Sequence, residues 1–191
     1  MIKFKLTVNY AFIIGILSVF VLSSCQKDYQ SIDPNVHSNK GIPMNGSQVV
    51  PANASTATGT LDVVYVRGNH TLTYTITWTG LSGPPAGGAS AAPTPGATYP
   101  AIGIYGLADP GFQAFPYPPQ QPTGLSNFPN GVAQTITSGF PAATSGTYSG
   151  SLYVDDVLIK ESDILNGKFY VQIRTAAFPN GQIRGQIYFT Q

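Results

Sequence analysis

The chain has 191 residues, nine of them basic and eight acidic, so its formal net charge is +1. Charged residues make up only 9% of the chain, which also contains 21 glycines and 16 prolines. The charge balance excludes a basic surface for nucleic acid, and the composition favours strands and turns over helices.

The beginning of the chain has the parts of a bacterial export signal. Lys3 and Lys5 form a charged start, an apolar stretch follows over residues 11–22, and two serines precede Cys25. A helix over that stretch would reach about 18 Å, which is too short for a hydrocarbon core of about 30 Å. We therefore predict a cleaved signal peptide over residues 1–24, whose removal leaves seven basic and eight acidic residues.

The segment Leu22-Ser23-Ser24-Cys25 resembles the lipobox of bacterial lipoproteins. In those proteins the cysteine sulfur receives a diacylglycerol, cleavage precedes the cysteine, and the new amino group is acylated. Cys25 is the only cysteine of the chain and has no partner for an intramolecular disulfide, which agrees with lipidation. The resemblance implies a lipid anchor in the outer membrane of the cell envelope. The alternative is an ordinary signal peptide with an accidental cysteine.

Residues 25–44 show no apolar periodicity and contain Asp33-Pro34-Asn35 and Gly41-Ile42-Pro43. We predict a flexible tether there, followed by one domain over residues 45–191. The residues Gln26-Lys27-Asp28 resemble an export signal that carries some bacterial lipoproteins to the outer surface. A solvated linker explains the same residues equally well.

The clearest strand pattern lies at residues 71–79, where threonines alternate with Leu72, Tyr74, Ile76 and Trp78. This period of two predicts one buried face, so Trp78 is expected in the core rather than in a ligand platform. A second strand is predicted over residues 58–66. The link Arg67–His70 suits a hairpin turn between the two strands.

Residues 81–131 contain eleven of the sixteen prolines, so we predict long loops around one short strand at residues 101–106. Aromatic residues on these loops are candidates for gripping a glycan or a protein ligand: Tyr99, Phe112, Phe115, Tyr117 and Phe128. The alternative is that the rings fold back and cover an edge of the sheet.

The remaining pattern predicts strands at residues 132–137, 147–154 and 157–160, and a helical turn capped by Ser162. A final hairpin is predicted over residues 169–189, turning at Asn180-Gly181. The fold class expected from these elements is all-β, an antiparallel β-sandwich with long Pro/Gly-rich loops.

Two segments carry a resemblance to a known family. Residues 169–187 read FYVQIRTAAFPNGQIRGQI and resemble the closing segment of the CHRD domain, a module named after chordin. Residues 45–60, NGSQVVPANASTATGT, are similar to its opening, and residues 72–81 are similar to one of its strands. The resemblance spans about residues 45–191 and implies an extracellular, immunoglobulin-like sandwich.

The chain departs from many bacterial members of that family at three positions. Those members carry histidine where this chain has Gly103, Tyr105 and Arg174. Glycine, tyrosine and a protonated arginine do not replace the nitrogen of imidazole as a metal ligand or proton acceptor near neutral pH. Any metal role suspected for the family is therefore not transferred to this chain, and no metal or cofactor is predicted.

Groups suited to catalysis are scarce in the sequence. His37 falls in the predicted tether and His70 in a turn, so no Ser/His/Asp or Cys/His arrangement is predicted. The acidic residues of the segment 155–163 offer either a calcium site or ordinary turn and cap residues, and their spacing favours the second. Arg174 and Arg184 lie on the polar faces of neighbouring strands, where they either make structural hydrogen bonds or anchor a ligand.

The sequence therefore predicts a non-enzymatic, lipid-anchored envelope protein that binds a glycan or a protein. Candidate ligand-binding residues are Tyr99, Tyr105, Phe112, Phe115, Tyr117 and Arg174. The alternatives are a structural envelope component whose loops seal the fold and, more remotely, a metal-dependent enzyme.

Overall fold

The computed structural model describes residues 33–89, 98–114 and 131–190. Within these ranges the chain forms ten strands: β1 Val36–Asn45, β2 Thr58–Val66, β3 Thr71–Thr79, β4 Gly88–Ala89, β5 Thr98–Tyr99, β6 Ile102–Tyr105, β7 Val132–Ile136, β8 Gly146–Tyr153, β9 Tyr170–Thr175 and β10 Phe178–Gln186. One short α-helix, α1, covers Glu161–Leu165, and two 3-10 turns lie at Gly46–Gln48 and Arg67–Asn69.

Eight of these strands form one antiparallel sheet in the order β7-β6-β9-β10-β1-β2-β3-β8, and β4 pairs with β5. The two edge strands of the large sheet meet through Gln134 of β7. Its Nε2 donates to the backbone oxygen of Ser151 in β8 at 2.8 Å, and its Oε1 accepts from the hydroxyl of Tyr74 at 2.9 Å. The sheet thus curls until it is nearly closed, and the predicted all-β antiparallel fold is confirmed.

The hairpin of β2 and β3 matches the sequence prediction residue for residue. Its nine paired positions run from Thr58 opposite Thr79 to Val66 opposite Thr71. His70, in the turn, adopts the left-handed conformation with φ of 52°. Alternation places every second residue of β3 in the core, where Trp78 is buried and donates from Nε1 to the backbone oxygen of Ala143 at 3.2 Å. The core position predicted for Trp78 is confirmed.

One hydrophobic core fills the inside of the curled sheet. It draws Ile42 and Met44 from β1, Ile104 from β6, and Val171 and Ile173 from β9, together with the apolar residues of β2 and β3. Each fully buried aliphatic or aromatic side chain of this kind contributes about 1.5–3 kcal/mol relative to an exposed one. The core therefore holds together strands that are far apart in sequence.

The predicted tether over residues 25–44 is too long. Val36–Asn45 is a central strand between β10 and β2, and the compact unit begins at Pro34. The register of β1 shifts between Asn39 and Ile42, and Gly41 there has φ of 69°. This bulge interrupts the alternation of apolar residues, so the pattern of the strand is invisible in the sequence.

Three other local predictions are wrong. Val157–Lys160 is not a strand but a series of bends, in which Asp155 Oδ1 accepts from the backbone of Val157, Leu158 and Ile159. Ser162 does not cap α1, which begins at Glu161. The turn of the last hairpin lies at residues 176–177, because Phe178 pairs with Thr175.

Asn180-Gly181 instead lies in a bulge of β10, where the register shifts between Phe178 and Ile183. Gly181 has φ of 119°, and a Cβ atom there would lie 2.6 Å from the side chain of Gln172. The Asn-Gly pair therefore supplies a backbone conformation that glycine alone adopts freely, but for a bulge rather than a turn.

Candidate functional site

Both faces of β9 are buried. Val171 and Ile173 point into the main core, whereas Tyr170, Gln172 and Arg174 alternate with them and point to the opposite side. We call that opposite side of β6, β9 and β10 the loop face. Polar residues are unusually common among the buried residues of β9 and β10: Gln172, Arg174, Thr175, Gln182, Arg184 and Gln186.

Residues from the described parts of the loops before β4 and after β6 contact strand β9 of the loop face. The backbone of Ala86 donates to the oxygen of Arg174 at 2.9 Å, and Ala114 donates to the hydroxyl of Tyr170 at 3.2 Å. Tyr99 is only 2% exposed. The ring of Tyr99 therefore packs against Arg174 of β9, an interior strand, and not against an edge of the sheet.

Arginines and tyrosines follow one another in contact across the loop face. The guanidinium of Arg174 lies 4.4 Å from the ring centre of Tyr99 and 4.9 Å from that of Tyr105. The ring of Tyr105 stacks on Tyr170 at 5.3 Å, and the guanidinium of Arg184 lies 3.5 Å from the ring centre of Tyr170. The two guanidinium groups are therefore not in contact with each other, because the rings of Tyr105 and Tyr170 lie between them in this series.

Neither arginine reaches a carboxylate among the described residues, although each is only 1% exposed. Among the described residues, Arg67 pairs with Glu161 and Lys168 with Asp109, and His70 lies 3.5 Å from Asp156. In sequence, the internal stretches 90–97 and 115–130 contain no Asp or Glu. Ring faces and neutral oxygen atoms therefore balance the two buried charges, and a buried charge needs such partners.

Neutral acceptors surround both guanidinium groups. Arg174 Nε donates to the backbone oxygen of Pro179 at 2.9 Å, and Arg174 Nη1 donates to the hydroxyl of Tyr105. Arg184 Nη1 donates to the backbone oxygen of Phe112 at 2.6 Å, and its Nη2 donates to Gln186 Oε1 at 2.8 Å. Each arginine thus fixes a loop or a bulge to the sheet.

Burial shifts the titration of the groups in this chain of contacts. It raises the pKa of Tyr105 and of Tyr170 well above the ordinary value, although the nearby guanidinium groups act in the opposite direction. Burial also lowers the pKa of Arg184, and Tyr170 counteracts that shift. The hydroxyls are therefore neutral hydrogen-bonding groups at neutral pH, unsuited to act as proton acceptors.

The three positions at which the resemblance described above implies histidine, Gly103, Tyr105 and Arg174, lie together on the loop face. A Cβ atom added to Gly103 would lie 2.7 Å from the ring of Tyr105, so the ring occupies the space above this glycine. Arg174 contacts the same ring and donates to its hydroxyl. The ring of Tyr105 thus occupies the space that the missing side chain of Gly103 leaves, and Arg174 packs against this ring.

Glutamines complete the attachment of the loops. Gln182 Oε1 accepts from Ser82 and from the hydroxyl of Thr175, and Gln182 Nε2 donates to Ser55. Gln186 Nε2 donates to the backbone oxygens of Ala108 and Gly167 at 2.9 and 2.6 Å. These bonds satisfy polar groups that the loops bury.

A cleft of about 360 Å³ opens beside Arg184. One wall comes from the segment after β1, a second from the loop after β6, and the base from β10: Ser47, Gln48, Val49, Val50, Ala52, Pro110, Gly111, Arg184 and Gln186 line it. Its size falls in the range of pockets that hold small ligands, roughly 300–1,000 Å³. A buried cation with apolar walls around it suits an anionic group on a partly apolar ligand.

The structure separates the predicted site residues. Tyr99, Tyr105 and Arg174 are buried together on the loop face, whereas Phe112 is 65% exposed near the cleft, with its backbone bound to Arg184. The other predicted positions lie outside the described residues: Cys25, Phe115, Tyr117 and Phe128.

Sequence reasoning missed the cleft and the glutamines around it. The sequence predicts Arg184 only as a possible neighbour of Arg174, and it gives no prediction for Gln182 or Gln186. The sequence feature that could have indicated this buried polar side is the alternation of polar and core residues along β9 and β10, in a chain with proline-rich loops. Polar residues opposite a core normally face water, and the burial of this face depends on distant loops.

The acidic residues of the segment 155–163 act in local structure. Asp155 accepts three backbone N–H groups, which lower the pKa of its carboxyl, and Asp156 accepts from the backbone of Glu161 at 2.8 Å. Glu161 binds Arg67 at 2.7 Å and the hydroxyl of Tyr65 at 2.8 Å. These contacts agree with the interpretation of these acidic residues as turn and cap residues rather than as calcium ligands.

The described part of the chain contains no group of three or more His, Cys, Asp or Glu side chains placed to hold a metal ion. Among its helices, none is long and apolar enough to cross a membrane.

The fold and the loop face define an all-β domain with one curled antiparallel sheet and a loop-covered polar side. The family model of the CHRD domain matches residues 41–187, and the chain belongs to this family. The resemblance of the two end segments is thereby confirmed. CHRD domains are in general non-enzymatic. Comparisons with curated proteins and with solved structures find no match.

Proposed function

We propose that this chain is a non-catalytic binding module of the cell envelope, anchored in the outer membrane by lipid on Cys25. Its ligand, a glycan or a protein, binds at the end of the domain where the loop after β6 meets β10. The observation that carries the proposal is the exposed ring of Phe112, on a backbone that a buried arginine holds in place.

Phe112 has the properties of a binding residue rather than a covering one. Its side chain is 65% exposed, while its backbone N–H donates to the oxygen of Asp109 at 3.0 Å and its oxygen accepts from Arg184. A rigid, exposed aromatic ring offers a large contact area and loses little conformational entropy when a ligand binds. The neighbouring cleft adds polar groups that can orient the ligand.

The surroundings of both histidines support a module without catalysis. His37 packs between Tyr65 and Phe189, and His70 lies 3.5 Å from Asp156 in the turn after β2. No described serine or threonine hydrogen-bonds to either ring, so a nucleophile with its base is not assembled in this part of the chain.

Lipid anchoring is tested by expressing the full chain in a Gram-negative host with a fatty acid that carries a chemical tag. The tag should label the wild type and not the Cys25→Ala variant, because the sulfur and the new amino group of Cys25 are the acylated atoms. Protease added to intact cells should then degrade the domain if it faces outward. An unlabelled wild-type protein would contradict the anchor.

Binding is tested with purified full-length protein, using retention on columns that carry soluble polysaccharides or envelope proteins. We expect Phe112→Ala to lose retention that the wild type shows. Tyr153→Ala is the matched control, since Tyr153 is 64% exposed on β8. Equal retention of the wild type and Phe112→Ala would remove Phe112 from the site.

A structural envelope component is the second candidate function, and the burial of Tyr99 against Arg174 favours it. In that role the loop aromatics seal the fold and bind nothing. Replacing Phe112, Phe115 and Tyr117 by alanine would then lower the melting temperature substantially. Unchanged melting with weakened retention would favour the binding role instead.

A further inference from the structure

We infer that the cleft beside Arg184 is a carboxylate site, and that it recognises an acidic group of the ligand. The inference rests on the proposed binding function and deepens it, because it names the chemical class that the cleft selects. Four features of the described residues support it: an unpaired buried cation, free donor capacity, the neutral lining, and the apolar walls.

Arg184 is held at the base of the cleft and is 1% exposed. Its contacts within the described residues are the face of Tyr170, the backbone oxygen of Phe112 and Gln186 Oε1. A guanidinium carries more donors than two acceptors occupy. Because Tyr170 covers one face of the group, the remaining donors lie at its edges, where a carboxylate binds in the plane.

The lining residues of the cleft carry no negative charge. Among the described residues of the lining none is Asp or Glu, and Arg184 is the one charged side chain there. Asp109, the chain neighbour of the lining residue Pro110, pairs with Lys168 Nζ at 2.5 Å rather than with Arg184. Among the described residues, the positive charge at the base of the cleft is balanced by a ring face and neutral oxygen atoms alone, and a bound carboxylate would give it an anionic partner.

The single positive charge of Arg184 and the apolar walls of the cleft indicate the charge and the size of the preferred ligand. A single guanidinium matches a singly charged carboxylate in charge and in geometry, whereas a doubly charged phosphate would stay partly unneutralised. Val50, Ala52 and Pro110 place apolar surface around the cation. The preferred ligand is thus a carboxylate on a compact body, such as a uronic acid of a glycan or the free carboxyl end of a peptide.

The experiment uses the full chain purified in detergent and records ligand-observed NMR at neutral pH. The probes are galacturonate with galactose as its neutral control, and an acetylated dipeptide with its amidated form as control. We expect an acidic probe to bind and its neutral control not to bind. The acid that binds more tightly identifies the source of the carboxylate.

Two pairs of variants test the location. Arg184→Gln should weaken binding about tenfold or more, because it removes a charge-assisted hydrogen bond, and Arg184→Lys should recover part of it. Ala52 is exposed at the rim of the cleft, so Ala52→Glu should weaken binding by repulsion while Ala52→Gln, of equal size, should not. If Arg184→Gln fails to fold, the comparison of Ala52→Glu with Ala52→Gln still tests whether the acid binds in the cleft.

Equal signals from acidic and neutral probes would overturn the carboxylate site, and so would binding that Ala52→Glu and Ala52→Gln affect equally. Neither result would contradict the lipid labelling of Cys25 or the column retention that depends on Phe112, which are measured separately. Conversely, acid binding at the cleft without any Phe112-dependent retention would refute the aromatic part of the proposed function and keep the carboxylate site.

Discussion

The guanidinium of Arg184 lies 3.5 Å from the ring centre of Tyr170 while its Nη1 donates to the backbone oxygen of Phe112. One side chain of β10 therefore connects a ring of β9 with the loop that follows β6. Since Tyr170 also stacks on Tyr105, and Tyr105 accepts from Arg174, the positions of both loops depend on a continuous series of side-chain contacts. A substitution of either arginine should therefore shift the side chains that contact the other arginine.

Replacing Tyr105 by phenylalanine should destabilise the protein by about 1–3 kcal/mol, because the buried guanidinium of Arg174 loses the hydroxyl that accepts its N–H. The free energy of unfolding in urea measures the change. Tyr153→Phe is the control on an exposed residue and should stay within about 0.5 kcal/mol of the wild type. Equal stability of both variants would show that the hydroxyl is dispensable.

Replacing Gly103 by alanine should cost about 1–3 kcal/mol, since the new methyl group would lie 2.7 Å from the ring of Tyr105. Gly83→Ala serves as the control, because nothing lies within 4 Å of a Cβ atom there. Combining Gly103→Ala with Tyr105→Ala should cost less than the sum of the two single changes. Thermal unfolding of the four variants checks this, and strict additivity would argue against the contact.

Stability should fall as the pH rises above about 10, the ordinary pKa of tyrosine. Burial raises the pKa of Tyr74, Tyr105 and Tyr170 in the folded state. The unfolded chain therefore loses these protons first, so stability that is fully present below pH 10 declines as the pH rises toward the folded-state pKa values. Urea midpoints between pH 8 and 11 measure the decline, and Tyr74→Phe should make it shallower. A flat profile to pH 11 would contradict the buried hydroxyls.

Replacing Gln134 by leucine should loosen the contact between the two edge strands. The change removes the donor to the backbone oxygen of Ser151 and the acceptor for Tyr74, at a cost of about 1–3 kcal/mol. Hydrogen exchange should accelerate in β7 and β8 while β9 stays protected. Uniform acceleration across all strands would instead indicate a general loss of stability.

The sequence and the structure agree where the pattern is local. The alternation of residues 71–79 identified β3 and the burial of Trp78, because a strand with one buried face shows its period directly. The sequence does not predict the strand Val36–Asn45, since the bulge at Gly41 interrupts its period and its first six residues are not buried.

The candidate site could be predicted only in part. The sequence suggested Arg174 and the loop aromatics as individual residues, but their arrangement depends on contacts between positions that are far apart. Arg184 and Phe112 are 72 residues apart, and no pattern in the sequence links them. The burial of the loop face likewise arises from the path of the loops, which the alternation along β9 and β10 does not reveal.

The near closure of the sheet through Gln134 also affects how the protein behaves at high concentration. An open sheet has two outer strands with unpaired backbone groups, which invite strands from other molecules and lead to aggregation. Here β7 and β8 turn toward each other, and a glutamine side chain occupies the gap between them. Copies of the domain can therefore lie close together in solution without joining into continuous sheets.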